Sequence, residues 1–171
     1  MGTGKSTIAK EFAKRTGCTV LDTDRMIETN EQMTVRDIFT QRGEEEFRRI
    51  ETGILAKTLS ADGVVIAAAG GVVVTEANRV ALREARQRGA AKVVWLRARP
   101  DVLVERTSRG THRPLLDHDP TAALQTMAEA REHLYREVAD IVIDTDDKAI
   151  DEIVELLVHF MNDETESAHH G

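Results

Sequence analysis

Apolar positions along the chain fall into two rhythms. From Lys5 to about Arg15, Ile8, Phe12 and Ala13 recur at helical spacing, so a first helix has one apolar face. "CTVLDTD" then reads as a short strand ending in carboxylates. "MTVRDIFTQRG" and "EEEFRRIETGILAKTLS" read as two helices separated by Gly43, the first starting at Thr34, whose hydroxyl suits an N-cap. "GVVIAAAGGVVV" is a strand that runs into a glycine turn, and "EANRVALREARQRG" is a helix closed by Gly89. "AKVVWL" and "ADIVIDT" are short apolar runs bounded by polar residues, the pattern of strands buried on both faces of a parallel sheet. Helices follow both, the last from about Lys148 to Met161. Strands alternating with helices in this way predict an α/β fold on a parallel sheet.

Two segments break the rhythm. "SRGTHRPLLDHDP" is polar and charged and interrupts two helices, so residues from about 109 to 120 read either as a plain surface loop or as a mobile lid. The tail "NDETESAHHG" has almost nothing to bury, which predicts one domain over residues 1–162 and a disordered tail over 163–171. With 171 residues the chain has enough length for one core. A net charge of −7 argues against a nucleic-acid or acidic-membrane partner. Cys18 is the single cysteine, so no intrachain disulfide can form and a reducing cytoplasm is expected. No apolar run reaches membrane-spanning length, and the first residues lack the pattern of a signal peptide.

Chemistry concentrates at the start. Gly2-Thr3-Gly4-Lys5-Ser6-Thr7 forms the back half of a phosphate-binding loop of the G-x-x-x-x-G-K-[ST] kind, followed at once by the first helix. Glycines let the backbone approach phosphates, and the helix N-terminus adds partial positive charge. Lys5 would then reach the β- and γ-phosphates of a nucleotide, and the Ser6 hydroxyl would ligate Mg²⁺. The first glycine of the pattern falls ahead of Met1, and the strand that normally feeds the loop is not in the sequence. The expectation is that the true start lies roughly ten residues upstream, a strand and its turn.

Asp22 and Asp24 stand two apart at the end of a predicted strand and share a face if the strand continues that far. At that sheet edge one carboxylate can hold Mg²⁺ through water, and the other can accept a hydrogen bond from a hydroxyl about to be phosphorylated. In "FRRIE", Arg48 and Glu51 share a helix face while Arg49 points elsewhere, which in isolation is an ordinary surface ion pair. Gly70 and Gly71 offer backbone N–H groups to a close ligand. Arg106, Arg113 and Arg131 flank or follow the candidate lid and suit an anionic substrate. His112, His118 and His133 lack regular ligand spacing and read as solvated positions, whereas Trp95, Phe39 and Phe47 read as core.

Taken in order, "GTGKST", "LDTD", "DIF…GEEEFRRIE", "GG", "RPLL" and "R-x-x-LY" closely resemble the shikimate kinase family, from Met1 to about Ile150. The resemblance implies a three-layer P-loop kinase fold with five parallel strands, helices on both faces and a mobile lid, the absent first strand being central. It implies transfer of the γ-phosphoryl group of ATP, with Mg²⁺, to the 3-hydroxyl of shikimate in aromatic amino-acid biosynthesis. Lys5 would stabilise the migrating group, with Mg²⁺ on Ser6 and, through water, Asp22. Asp24 would hold shikimate hydroxyls and orient or deprotonate the nucleophile. Arg48 and Arg131 would grip the carboxylate, and Gly70 and Gly71 would contact substrate through their backbone. Arg113 would close onto the phosphates, with Arg106 and Lys148 near the adenine. A monomer acting on small molecules, without nucleic acid or membrane, is expected.

Two residues depart from the family pattern: Ala69 where a third glycine is usual, and His133 where a proline often precedes Leu-Tyr. Two other functions compete with this reading. A related small-molecule kinase such as gluconate kinase shares the loop and lid, and a nucleotide-binding regulatory module would lack turnover altogether.

Overall fold

The computed structural model describes residues 2–108 and 120–167. The candidate lid, with Arg113, His112 and His118, lies outside the described residues. Helix α1 (Lys5–Thr16) buries Ile8, Ala9, Phe12 and Ala13 and closes on Gly17 in the left-handed region, as its periodicity predicts. Strand β1 (Thr19–Asp22) pairs in parallel with β2 (Val64–Ala67), Thr19 opposite Val64 and Asp22 opposite Ala67. Strand β3 (Val94–Arg97) pairs in parallel with β4 (Ile141–Asp144).

Among the described residues these four strands form two separate pairs rather than one five-stranded sheet. A shared core joins the pairs: Ile8 and Phe12 of α1 and Ile153, Val154 and Leu157 of α7 (Ile150–Ser167) pack with Val65, Val94, Leu96, Ile141 and Ile143. The β3 and β4 positions expected to be buried on both faces instead keep intermediate exposure at Val94, Trp95, Leu96 and Ile141, and Val142 is exposed. The cause is geometric: in a two-stranded sheet each strand is covered along one edge only. Helices dominate both sides of the strands. The last helix continues past Met161 to Ser167, because Asn162–Ser167 contains neither glycine nor proline to stop it.

Between β1 and β2 the chain builds a helical subregion. Helix α2 (Thr23–Glu31) was not legible as a separate element; it begins where "DTD" was expected to continue as strand. Helix α3 (Val35–Leu59) starts at Thr34, which accepts the Asp37 N–H, and bends at Gly43 with φ 83°. That left-handed backbone favours glycine, so the break between the two predicted helices survives as a kink. Ile27, Ile38, Phe47, Ile50 and Ile54 lock α2 onto α3. After β2, Gly70 and Gly71 lead into a 3₁₀ turn (Val72–Val74) and then α4 (Glu76–Gln87). Helices α5 (Pro100–Ser108) and α6 (Pro120–Val138) follow β3. Val72, Val73, Leu82 and Val138 join Leu55 in a third cluster beneath the glycine turn.

Candidate active site

The loop ahead of α1 has the backbone a phosphate needs. Gly2 and Gly4 both lie in the left-handed region, at φ 75° and 84°. Gly4 caps the helix without any side-chain bond, and the first turn carries no acidic residue. Its carbonyl accepts the N–H groups of Thr7 and Ile8 at 3.0 and 2.9 Å. No carboxylate of this first turn therefore neutralises the positive end of the helix, where an anion is stabilised. Thr3, Lys5 and Ser6 are half-buried there.

The Ser6 hydroxyl donates to Asp22 Oδ2 at 2.7 Å, tying the first turn of α1 to the carboxyl end of β1. Asp22 Oδ1 accepts the Arg25 N–H at 3.3 Å and so caps α2. One carboxylate serves both as helix cap and as serine partner, through its two oxygens. A hydroxyl beside a carboxylate is the hard-oxygen pair that suits Mg²⁺, an ion that keeps several waters and shares its remaining ligands with phosphate. The residues present fit that ion.

Asp24 does not share a strand face with Asp22, because the strand ends at Asp22 and Asp24 stands in the first turn of α2. The N-cap ends the strand two residues earlier than the expectation required. The turn nevertheless directs Asp24 toward the site. Burial raises its carboxyl above the ordinary aspartate value, with Asp22 and Glu28 adding to the rise and Lys5 opposing it.

Across from this edge, Arg48 donates to Glu51 Oε2 at 2.8 Å and to Glu44 at 3.2 Å. This is not the surface pair that spacing alone suggested: the Glu51 side chain is 1% exposed and that of Arg48 16%. Burial raises the Glu51 carboxyl, Arg48 lowers it, and the charges of Asp24 and Arg131 both reach it. Arg48 lies over the rings of Phe47 and Phe39, 5.2 and 5.9 Å from their centroids. Its Nη1 stands only 2.6 Å from where a Cβ on Gly71 would be. Glycine is needed at 71 for that approach, not for backbone freedom, since φ is −81°.

The structure brings Lys5, Ser6, Asp22, Asp24, Arg48, Gly71 and Arg131 into one region. Arg106 and Lys148 gather elsewhere, at the end of β4. Arg106 donates to Thr145 Oγ1 at 3.1 Å and to the Thr145 and Asp146 carbonyls at 2.6 and 3.2 Å. Lys148 is close enough to lower the carboxyl of Asp144, behind the larger effect of Arg97. Arg49 is exposed and, among the described residues, pairs with Glu46, and His133 is exposed on α6.

Sequence reasoning missed two residues here. Thr23 Oγ1 accepts the Ala69 N–H at 3.1 Å, and the Tyr135 hydroxyl donates to the Gly70 carbonyl at 2.5 Å. Phe39 and Phe47, read as plain core, also form the bed of Arg48.

A phosphate-binding loop on one side of a raised carboxylate, and a braced arginine on the other, define a P-loop kinase of small anionic acceptors. Comparison with known proteins narrows the class. The shikimate kinase family model matches residues 1–162. The chain is 42% identical to the shikimate kinase of Pseudomonas entomophila over 149 residues, covering 86% of this chain and 84% of that one. It is 38% identical to that of Symbiobacterium thermophilum over 157 residues, covering 90% and 87%. A solved shikimate kinase from Acinetobacter baumannii, in complex with shikimate, superposes with a TM-score of 0.87 at 32% identity, covering 96% of this chain and 89% of that one. The chain belongs to the shikimate kinase family.

Proposed function

We propose that residues 1–162 form one kinase domain that transfers the γ-phosphoryl group of ATP to the 3-hydroxyl of shikimate, a step of aromatic amino-acid biosynthesis. The observation that carries this reading is the position of Asp24, within electrostatic reach of Lys5 on one side and of the Arg48–Glu51 pair on the other. An acceptor held at its carboxylate by Arg48 and Arg131 would present a hydroxyl to Asp24 and, beyond it, to the phosphate loop.

Phosphoryl transfer is chiefly positioning and charge neutralisation. Arg48 and Arg131 bind the substrate carboxylate, and the backbone of Gly70 and Gly71 borders the ring. Asp24 orients the hydroxyl and takes its proton as the oxygen bonds to the γ-phosphorus and the bond to the β–γ bridging oxygen breaks. Lys5 balances charge on the migrating group, and the loop of Gly2, Thr3, Gly4 and Thr7 cradles the phosphates. Mg²⁺, held by Ser6 and through water by Asp22, supplies further charge neutralisation when bound. Arg113, outside the described residues, is assigned the role of a further positive charge for the phosphates, and Arg106 and Lys148 border the adenine. The enzyme acts as a cytoplasmic monomer; no helix among the described residues is long and apolar enough to cross a membrane.

Product analysis tests the assignment. Incubation with ATP, Mg²⁺ and shikimate is expected to give shikimate carrying one phosphoryl group on the 3-oxygen by mass spectrometry and phosphorus NMR, and gluconate no product. Phosphorylation of gluconate but not shikimate would refute it.

Gly71→Ala tests the carboxylate grip. The added methyl must push aside the tip of Arg48, which a flexible side chain allows without unfolding. A displaced guanidinium of about 1 Å is expected to raise the KM for shikimate by about tenfold to a hundredfold, while the KM for ATP and the thermal midpoint stay put. An unchanged shikimate KM would exclude Arg48 from the substrate site.

A further inference from the structure

The glycine turn has two side-chain clamps, and one of them reaches it from the helix that carries Arg131. Thr23 Oγ1 holds the Ala69 N–H, and the Tyr135 hydroxyl holds the Gly70 carbonyl at 2.5 Å, although the residues are 65 apart in sequence. Tyr135 stands four residues after Arg131, so both lie on one face of α6. Its ring stacks on Trp95, with centroids 5.1 Å apart and planes 18° apart. Burial raises the phenol above the ordinary tyrosine value, with Arg131 beside it acting in the opposite sense. The phenol therefore stays protonated, and a donor, at physiological pH.

We propose that Tyr135 is a positioning residue for the substrate carboxylate, setting Arg131 and Arg48 in register through the glycine turn. Arg131 and Tyr135 are fixed together by one turn of helix. Tyr135 fixes Gly70, and Gly71 next to it has the Arg48 guanidinium where a Cβ would stand. The two arginines come from helices far apart in the chain, and the Tyr135–Gly70 bond is a direct polar link between their supports. The other polar contacts of the turn come from α2, through Thr23, and from α4, through Asn78 and Arg79 on the Val72 and Val73 carbonyls at 3.0 and 2.7 Å, and Arg79 also pairs with Glu137 of α6 at 3.0 Å. Among the described residues, Tyr135 is the α6 side chain that bonds Gly70 itself. The ring of Tyr135 supplies packing, and its hydroxyl supplies registration.

This inference rests on the shikimate reading, and the unmodified chain is assayed first so that the two can fail separately. Tyr135→Phe keeps the ring and its stack on Trp95 and removes only the hydroxyl. The KM for shikimate is expected to rise about tenfold, the scale of one lost hydrogen bond, with the KM for ATP unchanged within about twofold. Trp95, the only tryptophan, gives a second readout: the shikimate concentration that half-saturates its emission change moves by the same factor. Thr23→Val, which strips the other clamp, is expected to move the same two quantities. A Tyr135→Phe variant with both KM values unchanged, or with both raised equally alongside a lower thermal midpoint, would overturn the proposal, since the hydroxyl would then be idle or merely structural. Absence of turnover in the unmodified chain would instead remove the shikimate reading on which it stands.

Discussion

Asp24→Asn is expected to lower kcat by about 10²–10⁴-fold, the range that positioned acid–base groups contribute. Asparagine retains the size and can still meet a hydroxyl, but it cannot take the proton that leaves as the new P–O bond forms. The KM for ATP should hardly move, because Lys5 and the loop remain. The raised carboxyl of Asp24 also dictates a pH profile. Activity needs the ionised form, so kcat/KM should climb with pH along an acid limb displaced above the ordinary aspartate range. Stability has the opposite sign. A group whose folded pKa is raised binds its proton more tightly in the fold, so its contribution falls as pH rises from the unfolded to the folded value. Above that window the variant should therefore be at least as stable as the parent. Thermal midpoints and pH–rate profiles on both proteins check the pair of signs; an acid limb in the ordinary aspartate range would contradict the assignment.

Arg48→Ala should damage both binding and folding. Losing one of two arginines on the substrate carboxylate is expected to raise the KM for shikimate by about thirtyfold or more, since a truncated charge pair costs at least about 2 kcal/mol. The fold suffers because Glu51, 1% exposed, keeps its charge and loses its partner. Breaking a fully buried pair costs about 3–5 kcal/mol, and the partial exposure of Arg48 puts this case near the lower end, about 3 kcal/mol. Part of that loss is avoidable by protonation. Glu51 already has a raised carboxyl, and without the guanidinium it rises further, so the destabilisation should be small in acid and grow toward neutral pH. Urea unfolding at two pH values measures this. Arg49→Ala is the contrast: its solvent-screened pair with Glu46 should leave the urea midpoint almost unchanged. Equal losses for the two arginines would contradict the buried-pair account.

Local chemistry was legible where one residue decides the outcome. Thr34 caps α3, Gly43 bends it, and Gly4 with Lys5 and Ser6 opens α1, each for reasons contained in a few neighbouring residues. The junction after β1 was harder. "DTD" reads equally as the end of a strand or the start of a helix, and the Arg25 N–H on Asp22 decided it. Burial of polar groups was not legible at all. Periodicity placed Arg48 and Glu51 on one face, but whether that face meets solvent depends on Gly71 and the phenylalanines folding against it. Tyr135 and Thr23 escaped for the same reason: their partners are backbone atoms of a distant turn, and a backbone carbonyl has no sequence signature. The strands were recognised by their apolar runs, yet their half-exposed side chains follow from pairing in twos, which no single run encodes.

The most direct test of the central claim is ADP release, followed in a coupled assay with ATP and Mg²⁺, in the presence and absence of shikimate. The account predicts release that depends on shikimate and saturates with it. Shikimate-independent release, or none from a folded protein that binds ATP, would contradict it.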